Sequence, residues 1–290
     1  MRSVKYLLAA GAASVLSSAA FAADMPSISA PPPYAYQPAY APPAQDFGGW
    51  YLRGDVGITA QRATRISNPL DTTLDVTGPS YVGTGLSGAG SYDIGVGYAF
   101  NNWFRADVTA EYRSAATLRG SVYGQFSAFG NAYSDVDNYS GNLSSFVFLA
   151  NAYADLGTWW CITPFVGVGV GAAYNHLANF RDDGLTTFNG LTAGTQFVAD
   201  GNKTSLAYAL HAGLAYKVNN NFTVELAYRY LDLGSAVTGS SNFAYSSPGT
   251  LGTHAWTVNN LTSQDVRVGL RWSFCCDVEP PPPPPLIRKG

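Results

Sequence analysis

Charged side chains and cysteines are scarce in this chain. Asp, Glu, Lys and Arg make up only 12% of its 290 residues, against roughly 25% in a typical soluble protein. Its three cysteines are too few for a disulfide-rich scaffold. The net charge of −3 and the lack of a basic patch give no support for nucleic acid as a partner. These shortages disfavour a charge-rich soluble domain, a disulfide-stapled module and a nucleic-acid-binding protein.

Long apolar runs are also missing beyond residue 25. Charges and glycines interrupt every apolar stretch there, whereas a transmembrane helix needs about 20 mostly apolar residues. The chain is instead rich in Gly, with 31, and in Tyr, with 19. A chain of this kind can still cross a bilayer with strands that close into a barrel.

The first 22 residues predict an export signal. Arg2 and Lys5 form a positive start, residues 6–16 form a short apolar core, and Ala20-Phe21-Ala22 is a typical cleavage motif. We expect cleavage between Ala22 and Ala23. An uncleaved anchor helix is the alternative, which the short, Ser- and Ala-rich apolar run disfavours.

Composition divides the rest of the chain into three segments. Residues 23–46 are predicted to be a Pro/Tyr-rich periplasmic linker, and residues 277–290 a Pro-rich periplasmic tail. Proline at this density favours extended polyproline II and cannot build a core. The folded domain is therefore expected within residues 47–276.

The stretch from Gln264 to Phe274 shows the pattern that predicts the fold. Its apolar side chains fall on one face and its charged and small side chains on the other. The two faces are Val266, Val268, Leu270, Trp272 and Phe274 against Asp265, Arg267, Gly269, Arg271 and Ser273. Strict alternation between two such faces is typical of a membrane barrel with lipid outside and a polar interior.

Seven earlier segments alternate in a similar way, most weakly at 145–156. We therefore predict an all-β fold, an eight-stranded antiparallel transmembrane β-barrel, because single-chain bacterial barrels have an even strand count. The predicted strands cover about residues 50–59, 92–100, 104–113, 145–156, 166–171, 206–217, 222–230 and 264–274.

The connections between these strands alternate in length. Asn101-Asn102, residues 157–162 and residues 219–221 are short, and we place them on the periplasmic side together with both termini. The other connections, of about 30 residues each, are predicted to be extracellular loops that partly extend the strands. Plausible loop tips are Asp183-Gly184, Asn189-Gly190 and Pro248-Gly249.

Charge decides which face of the strands points inward. A lipocalin-like soluble barrel would put the apolar face inside, but Arg or Lys facing lipid costs roughly 2–4 kcal/mol near the membrane midplane. We therefore predict a network of charges inside the barrel, with seven basic and seven acidic members. They are Arg53, Arg105, Arg113, Lys217, Arg229, Arg267 and Arg271 with Asp55, Asp93, Asp107, Glu111, Asp155, Glu225 and Asp265.

Aromatic residues sort by end of the barrel. The predicted periplasmic end carries five of the six tryptophans, namely Trp50, Trp103, Trp159, Trp160 and Trp272. The other end carries Tyr92, Tyr112, Tyr174, Tyr208 and Tyr230. Two such belts are expected at the two water–lipid boundaries, whereas a soluble core would not separate aromatics by end.

Together these features resemble the small outer-membrane β-barrel family of OmpA-like barrels, opacity-type surface antigens and porin-family immunogenic proteins. The resemblance is carried by GWYLRGDVG, TPFVGVGVGAAYN, ELAYRYLDLG and VRVGLRWSF, in that order along residues 47–274. Each motif is a loose pattern, and their order and spacing make the match specific.

The resemblance implies a set of partners. Outer-membrane assembly machinery reads a terminal strand that ends in an aromatic residue, and Phe274 would be that residue. Outer-membrane lipid and lipopolysaccharide would surround the barrel, which would be a monomer or a weak oligomer. Ala23 resembles N-termini that some members attach covalently to peptidoglycan; the alternative is a free spacer.

The three thiols are predicted on the oxidising periplasmic side. Cys161 could pair with Cys275 or Cys276. However, their strands lie on opposite sides of the predicted barrel, and a disulfide needs Cα atoms within about 7 Å. Both states stay open at this point.

No catalytic, metal or cofactor site is predicted. His211 is expected to form hydrogen bonds inside the barrel, while His176 and His254 fall in long connections. A hydrolase would need a nucleophile beside a histidine with an orienting partner, and no local signature of that kind is present. Arg181-Asp182-Asp183-Gly184 could touch a cation, but we interpret it as a turn because two carboxylates are too few for Ca²⁺.

Three functions remain, and the first is favoured. It is a structural and surface-antigen role in the Gram-negative envelope, with or without a peptidoglycan tether. The second is a narrow porin-like channel for small solutes, and the third is an outer-membrane enzyme.

Overall fold

The computed structural model describes residues 49–67, 77–128, 131–187, 191–240 and 255–274. Within these ranges the chain is built from β-strands. In chain order they are β1 (Gly49–Arg62), β2 (Arg65–Ser67), β3 (Thr77–Leu86), β4 (Ala89–Ala99), β5 (Phe104–Ala128), β6 (Asn131–Asp155), β7 (Ile162–Thr187), β8 (Leu191–Val198), β9 (Gly201–Lys217), β10 (Phe222–Val237) and β11 (Thr257–Ser273).

Eight of these strands form a closed antiparallel ring. Its order is β1-β4-β5-β6-β7-β9-β10-β11, and β11 pairs with β1 to close it, for example at Val56 opposite Val268. The short strands β2, β3 and β8 lie outside the ring and pair with β11, β5 and β7. The predicted all-β, eight-stranded antiparallel barrel is confirmed.

The short connections lie at one end of the ring, which we call the turn end. In the turn after β4, the side-chain oxygen of Asn101 accepts hydrogen bonds from the backbone N–H groups of Trp103 and Phe104, at 3.0 and 2.7 Å. Asn219 does the same for Asn221 and Phe222, at 2.9 and 2.8 Å. These asparagines close the turns through their side chains, as in Asx-turns.

The opposite end, called the extension end, is longer than the sequence pattern predicts. β5, β6 and β7 are 25, 25 and 26 residues long, so much of each long connection is strand. Asp183-Gly184 is not a loop tip, because both residues pair with β6 and β8 inside β7. The tips at Asn189-Gly190 and Pro248-Gly249 fall outside the described residues.

A belt of exposed apolar side chains surrounds the ring. The five tryptophans near the turn end and the five tyrosines toward the extension end all point outward and are exposed. The sixth, Trp256, is buried in the extension instead. Among the described residues, no helix is long and apolar enough to cross a membrane.

The interior of the barrel has two parts of opposite character. Toward the turn end it is filled by charged side chains, and toward the extension end by an apolar core that includes Leu143, Leu177 and Leu231. The polar interior predicted from the strand alternation is therefore present toward the turn end and gives way to an apolar core in the extension. The extension carries exposed Arg181 and Asp183 on its outer face, so its apolar side chains pack inside, as they do in a soluble barrel.

Candidate functional site

The candidate site is the pair of fillings inside the barrel, and Arg229 on β10 is at the centre of the first. Its guanidinium donates to both carboxylate oxygens of Glu111 on β5, at 2.5 and 2.7 Å. It also donates to Asp265 on β11, at 2.6 and 2.9 Å. The paired fork geometry of these charge-assisted bonds makes them strong.

Arg113 shares the same two carboxylates. It donates to Glu111 at 2.9 Å, to Asp265 at 3.0 and 3.1 Å, and to the Ser263 hydroxyl at 2.6 Å. Two cations and two anions are thus interleaved across the barrel, and all four side chains are almost completely buried. The arrangement compensates charges that would be costly if left unpaired.

A second group of charges surrounds Arg53 on β1. Its guanidinium binds both oxygens of Asp55 at 2.9 Å each, and it donates to Asp107 at 2.9 Å. It also donates to the hydroxyl of Tyr153 at 2.9 Å, while Tyr51 donates to Asp107 at 3.1 Å. Tyrosine hydroxyls on neighbouring strands therefore provide further hydrogen bonds to the charged side chains.

Arg105 links this second group to the turn end. It pairs with Glu225 and Asp155, at 3.2 Å each, and its guanidinium lies over the rings of Tyr153 and Phe165, 4.4 and 4.8 Å from their centres. Arg271 also pairs with Glu225, at 3.2 Å. Cation–π contacts in so enclosed a space add to the ion pairing.

Glycines on the inner face make room for these rings. A Cβ on Gly213 would lie 2.6 Å from the ring tip of Phe165, and one on Gly97 would collide with the ring of Tyr51. The alternation of Gly with apolar residues is thus explained by close approach of neighbouring side chains. These glycines let aromatic residues fill an interior that is only wide enough for side chains.

The structure places thirteen of the fourteen predicted charges on the inner face. Lys217 is the exception: it is exposed at the turn end, and it has no ion pair in the described part of the chain. The prediction for Lys217 is therefore wrong, because its position at the last residue of β9 brings it out to solvent. Arg267 completes the set by pairing with Asp93 and, at 3.5 Å, with Asp55.

Partner choice was only partly predictable. Arg105 pairs with Glu225, whereas Arg229 pairs with Glu111 and Asp265, and Asp107 pairs with Arg53. Sequence reasoning also missed Tyr51 and Tyr153. Their positions on the same strand faces as Arg53 and Asn151 were a usable signal, since every second residue shares a face.

The second filling seals the extension end. Tyr139, Phe180 and Trp256 pack together, with ring centres 4.7 to 5.9 Å apart. Aliphatic side chains lie with them in one buried cluster that includes Leu118, Leu143, Leu177, Leu231, Leu233, Val258 and Leu261. An apolar filling of this kind excludes water and hydrated ions.

The histidines and metal-ligating groups show no catalytic arrangement within the described residues. His211 is buried, and its Nε2 lies 3.2 Å from the side-chain oxygen of Asn151. His176 is on β7 and contacts Asn202 at 2.6 Å, while His254 lies outside the described residues. No three His, Cys, Asp or Glu side chains in the described ranges are grouped to hold a metal ion.

The remaining predicted sites lie at the chain ends or near the turn end. Cys161 is exposed, and Cys275, Cys276, Ala22 and Ala23 lie outside the described residues, so the disulfide and the peptidoglycan attachment stay predictions. Phe274 directly follows β11, and its backbone N–H donates to the carbonyl of Trp50 at 3.0 Å.

A closed eight-stranded ring with an apolar outer belt and a charged interior matches a known family. The family model of the outer membrane protein beta-barrel domain covers residues 8–274. The chain belongs to this family. It is accordingly a β-barrel protein of the Gram-negative outer membrane.

Two kinds of relative are similar along much of the chain. An uncharacterized protein of Brucella abortus (strain 2308) is 30% identical over 285 residues, which is 89% of this chain and 93% of the relative. A Rickettsia felis protein named "Putative adhesin" is 28% identical over 229 residues, covering 76% of this chain and 88% of the relative.

Solved structures of similar proteins include two small barrels. Neisserial surface protein A is 16% identical, with a TM-score of 0.40, and the match covers 78% of this chain and 97% of that one. OprG from Pseudomonas aeruginosa is 12% identical, with a TM-score of 0.45, and the match covers 79% and 97%.

Proposed function

We propose that this protein is a closed structural barrel of the outer membrane whose extension is displayed at the cell surface. The observation that carries this proposal is the double filling of the interior. The ion-paired layer around Arg229 occupies one half, and the apolar cluster around Leu231 occupies the other. Neither filling offers a continuous water-filled path, so a structural and surface role fits better than transport.

Single-channel recording on the purified, refolded protein tests this proposal. We expect at most brief, small current steps, because ions would have to pass both an ion-paired charge network and an apolar seal. An empty-bilayer recording and a refolded sixteen-stranded porin serve as controls. Stable large conductance from the monomer, or uptake of sugar-sized solutes by reconstituted vesicles, would instead support the porin-like channel.

The orientation in the membrane is part of the proposal. Barrels of this kind have short periplasmic turns and longer extracellular segments, which supports placing the turn end and both termini in the periplasm. The exposed side chains of the extension, such as Phe197 beside Arg181, would then face the medium. The name of the Rickettsia felis relative also supports a surface role.

Cysteine labelling on intact cells tests this orientation. Two variants are compared: one retains Cys161 alone, and the other carries Ala193→Cys with all three native cysteines changed to serine. Ala193 is exposed on β8 and Cys161 is exposed at the turn end, so both thiols are available to reagent. A membrane-impermeant maleimide should label only the Ala193→Cys variant until the outer membrane is permeabilised. If only the variant that retains Cys161 were labelled on intact cells, the orientation would be the reverse of the proposed one.

An enzymatic role is the least supported alternative. His211 lies among charged side chains, and its described hydrogen-bond contact is an amide rather than a nucleophile. A general base needs a reacting group within hydrogen-bond reach.

The partners proposed for the structural role are lipid, lipopolysaccharide, the assembly machinery and, through Ala23, peptidoglycan.

A further inference from the structure

A layer of carboxyl groups lies inside the extension, directly beyond the aromatic seal. Asp182 on β7 is opposite Tyr139 on β6, and Asp137 is opposite Gly184. Asp182 is only 6% exposed, and its Oδ1 atom has no hydrogen-bond partner in the described part of the chain. Asp137 accepts a hydrogen bond from the Tyr139 hydroxyl at 3.1 Å. Asp137 and Asp182 form what we call the carboxyl layer, and Asp135 lies two residues before Asp137 on β6.

Among the described residues, the strands paired with β6 and β7 place no cation opposite Asp137 or Asp182. β5 places Val122 opposite Asp137 and Gly124 opposite Asp135, and β8 places the amide of Gln196 opposite Asp182. Arg181 belongs to the outer face, where it donates to Asp183 at 2.8 and 2.9 Å. On β9, Lys203 is opposite Asn175, well before Asp182 along β7.

Between the described ranges, the sequence contains few basic residues. By sequence, residues 68–76, 129–130, 188–190 and 241–254 contain no Lys or Arg, and their one basic side chain is His254. The described side chains also provide no group of three suitable for a metal ion. Among the described residues, a bound proton is therefore the one cation left to neutralise Asp137 and Asp182.

The acid strengths of these groups agree with that conclusion. Burial, together with the nearby charges of Asp182 and Asp135, raises the pKa of Asp137 to about 8. Burial likewise raises the pKa of Asp182 to about 7, helped by Asp135 and by Asp183 on the outer face. Ionised carboxylates without counterions are disfavoured in such surroundings.

We propose that the carboxyl layer is a proton-operated latch, which holds the extension closed while Asp137 and Asp182 retain protons and lets it open when they ionise. The layer lies next to Tyr139, Phe180 and Trp256, so charge repulsion there acts on the aromatic seal itself. A barrel that faces the medium with this end would thereby change its outer surface with external pH.

The direction of the effect follows from proton binding. An opened extension exposes these carboxyls, whose pKa returns toward the ordinary value of 3.8. Between about pH 4 and the raised pKa values of about 7 and 8, the closed form therefore holds more protons than the open form. The closed form consequently loses stability as pH rises through this range, and the loss is complete above it.

Hydrogen exchange of the refolded full chain in detergent micelles tests the latch. After correction for intrinsic exchange rates, amides of residues 180–187 and 191–198 should open at least about tenfold more often at pH 9 than at pH 5. One unit of pKa displacement corresponds to a factor of ten in the opening equilibrium. Amides of residues 206–210, which lie in the outward belt of β9, provide an internal reference.

Matched variants separate the latch from general charge effects. Asp182→Asn and Asp137→Asn should each reduce the pH dependence several-fold, because a neutral amide cannot ionise. Asp183→Asn, one residue along but on the outer face, should preserve it. An unchanged opening equilibrium in the wild-type protein between pH 5 and 9 would overturn the proposal, as would equal loss of the dependence in Asp183→Asn. If one inner variant fails to refold, the other decides the question.

Discussion

Replacing Arg229 with alanine is expected to lower the free energy of unfolding by about 3–5 kcal/mol, because removing one partner of a buried ion pair leaves an uncompensated charge. Arg229 is fully buried and donates to Glu111 and Asp265. In the variant, both carboxylates would lose this cation as a partner. The measurement is reversible urea unfolding of the refolded barrel, followed by tryptophan fluorescence. A loss of this size would show that the ion pairs among the thirteen interior charges stabilise the barrel.

Two further variants make this result specific. Lys217→Ala removes an exposed cation that has no ion pair among the described residues, and should change stability by less than about 0.5 kcal/mol. The double variant Arg229→Ala/Glu111→Ala should recover part of the loss, since it removes a charge of each sign and so couples the two sites. A cost for Arg229→Ala no greater than for Lys217→Ala would show that the ion pairs contribute little.

Much of the membrane-spanning part could be predicted because two different surroundings act on every strand there. Lipid on one face and a narrow interior on the other impose strict alternation, which is visible in Val266 to Phe274 without any structure. Inward placement of Arg229 follows from its strand face together with the cost of a charge that faces lipid. The identity of its partner cannot be predicted in this way, because Glu111 is 118 residues away in sequence and is reached across the interior.

The extension could not be read in the same way. Beyond the lipid belt the outer face meets water, so the apolar residues move to the inner face and the membrane pattern no longer applies. Asn179, with a positive φ of 51°, also shifts the alternation of β7. Leu177 before it and Phe180 after it are both buried. A rule of strict period two therefore fails at this residue, and Asp182 appears in sequence as part of a polar turn.

The apolar seal supplies the second large effect. Leu231→Ala is expected to lower the free energy of unfolding by about 2–5 kcal/mol, because truncating a buried leucine removes its packing and leaves a cavity. Leu231 is completely buried in the cluster that closes the extension end. Urea unfolding of the refolded barrel gives the value. Leu185→Ala is the matched control, since Leu185 is an exposed leucine of the same extension and should cost about 0.5 kcal/mol or less.

The same variant separates stability from permeability. The ion-paired layer around Arg229 lies between the seal and the turn end, so a cavity at Leu231 opens only one of two closures in series. We therefore expect Leu231→Ala to unfold more easily and yet to conduct no more than the wild-type protein in planar bilayers. Stable conductance from Leu231→Ala alone would mean that the charge network is not a barrier, and equal losses for Leu231→Ala and Leu185→Ala would mean that the seal is not tightly packed.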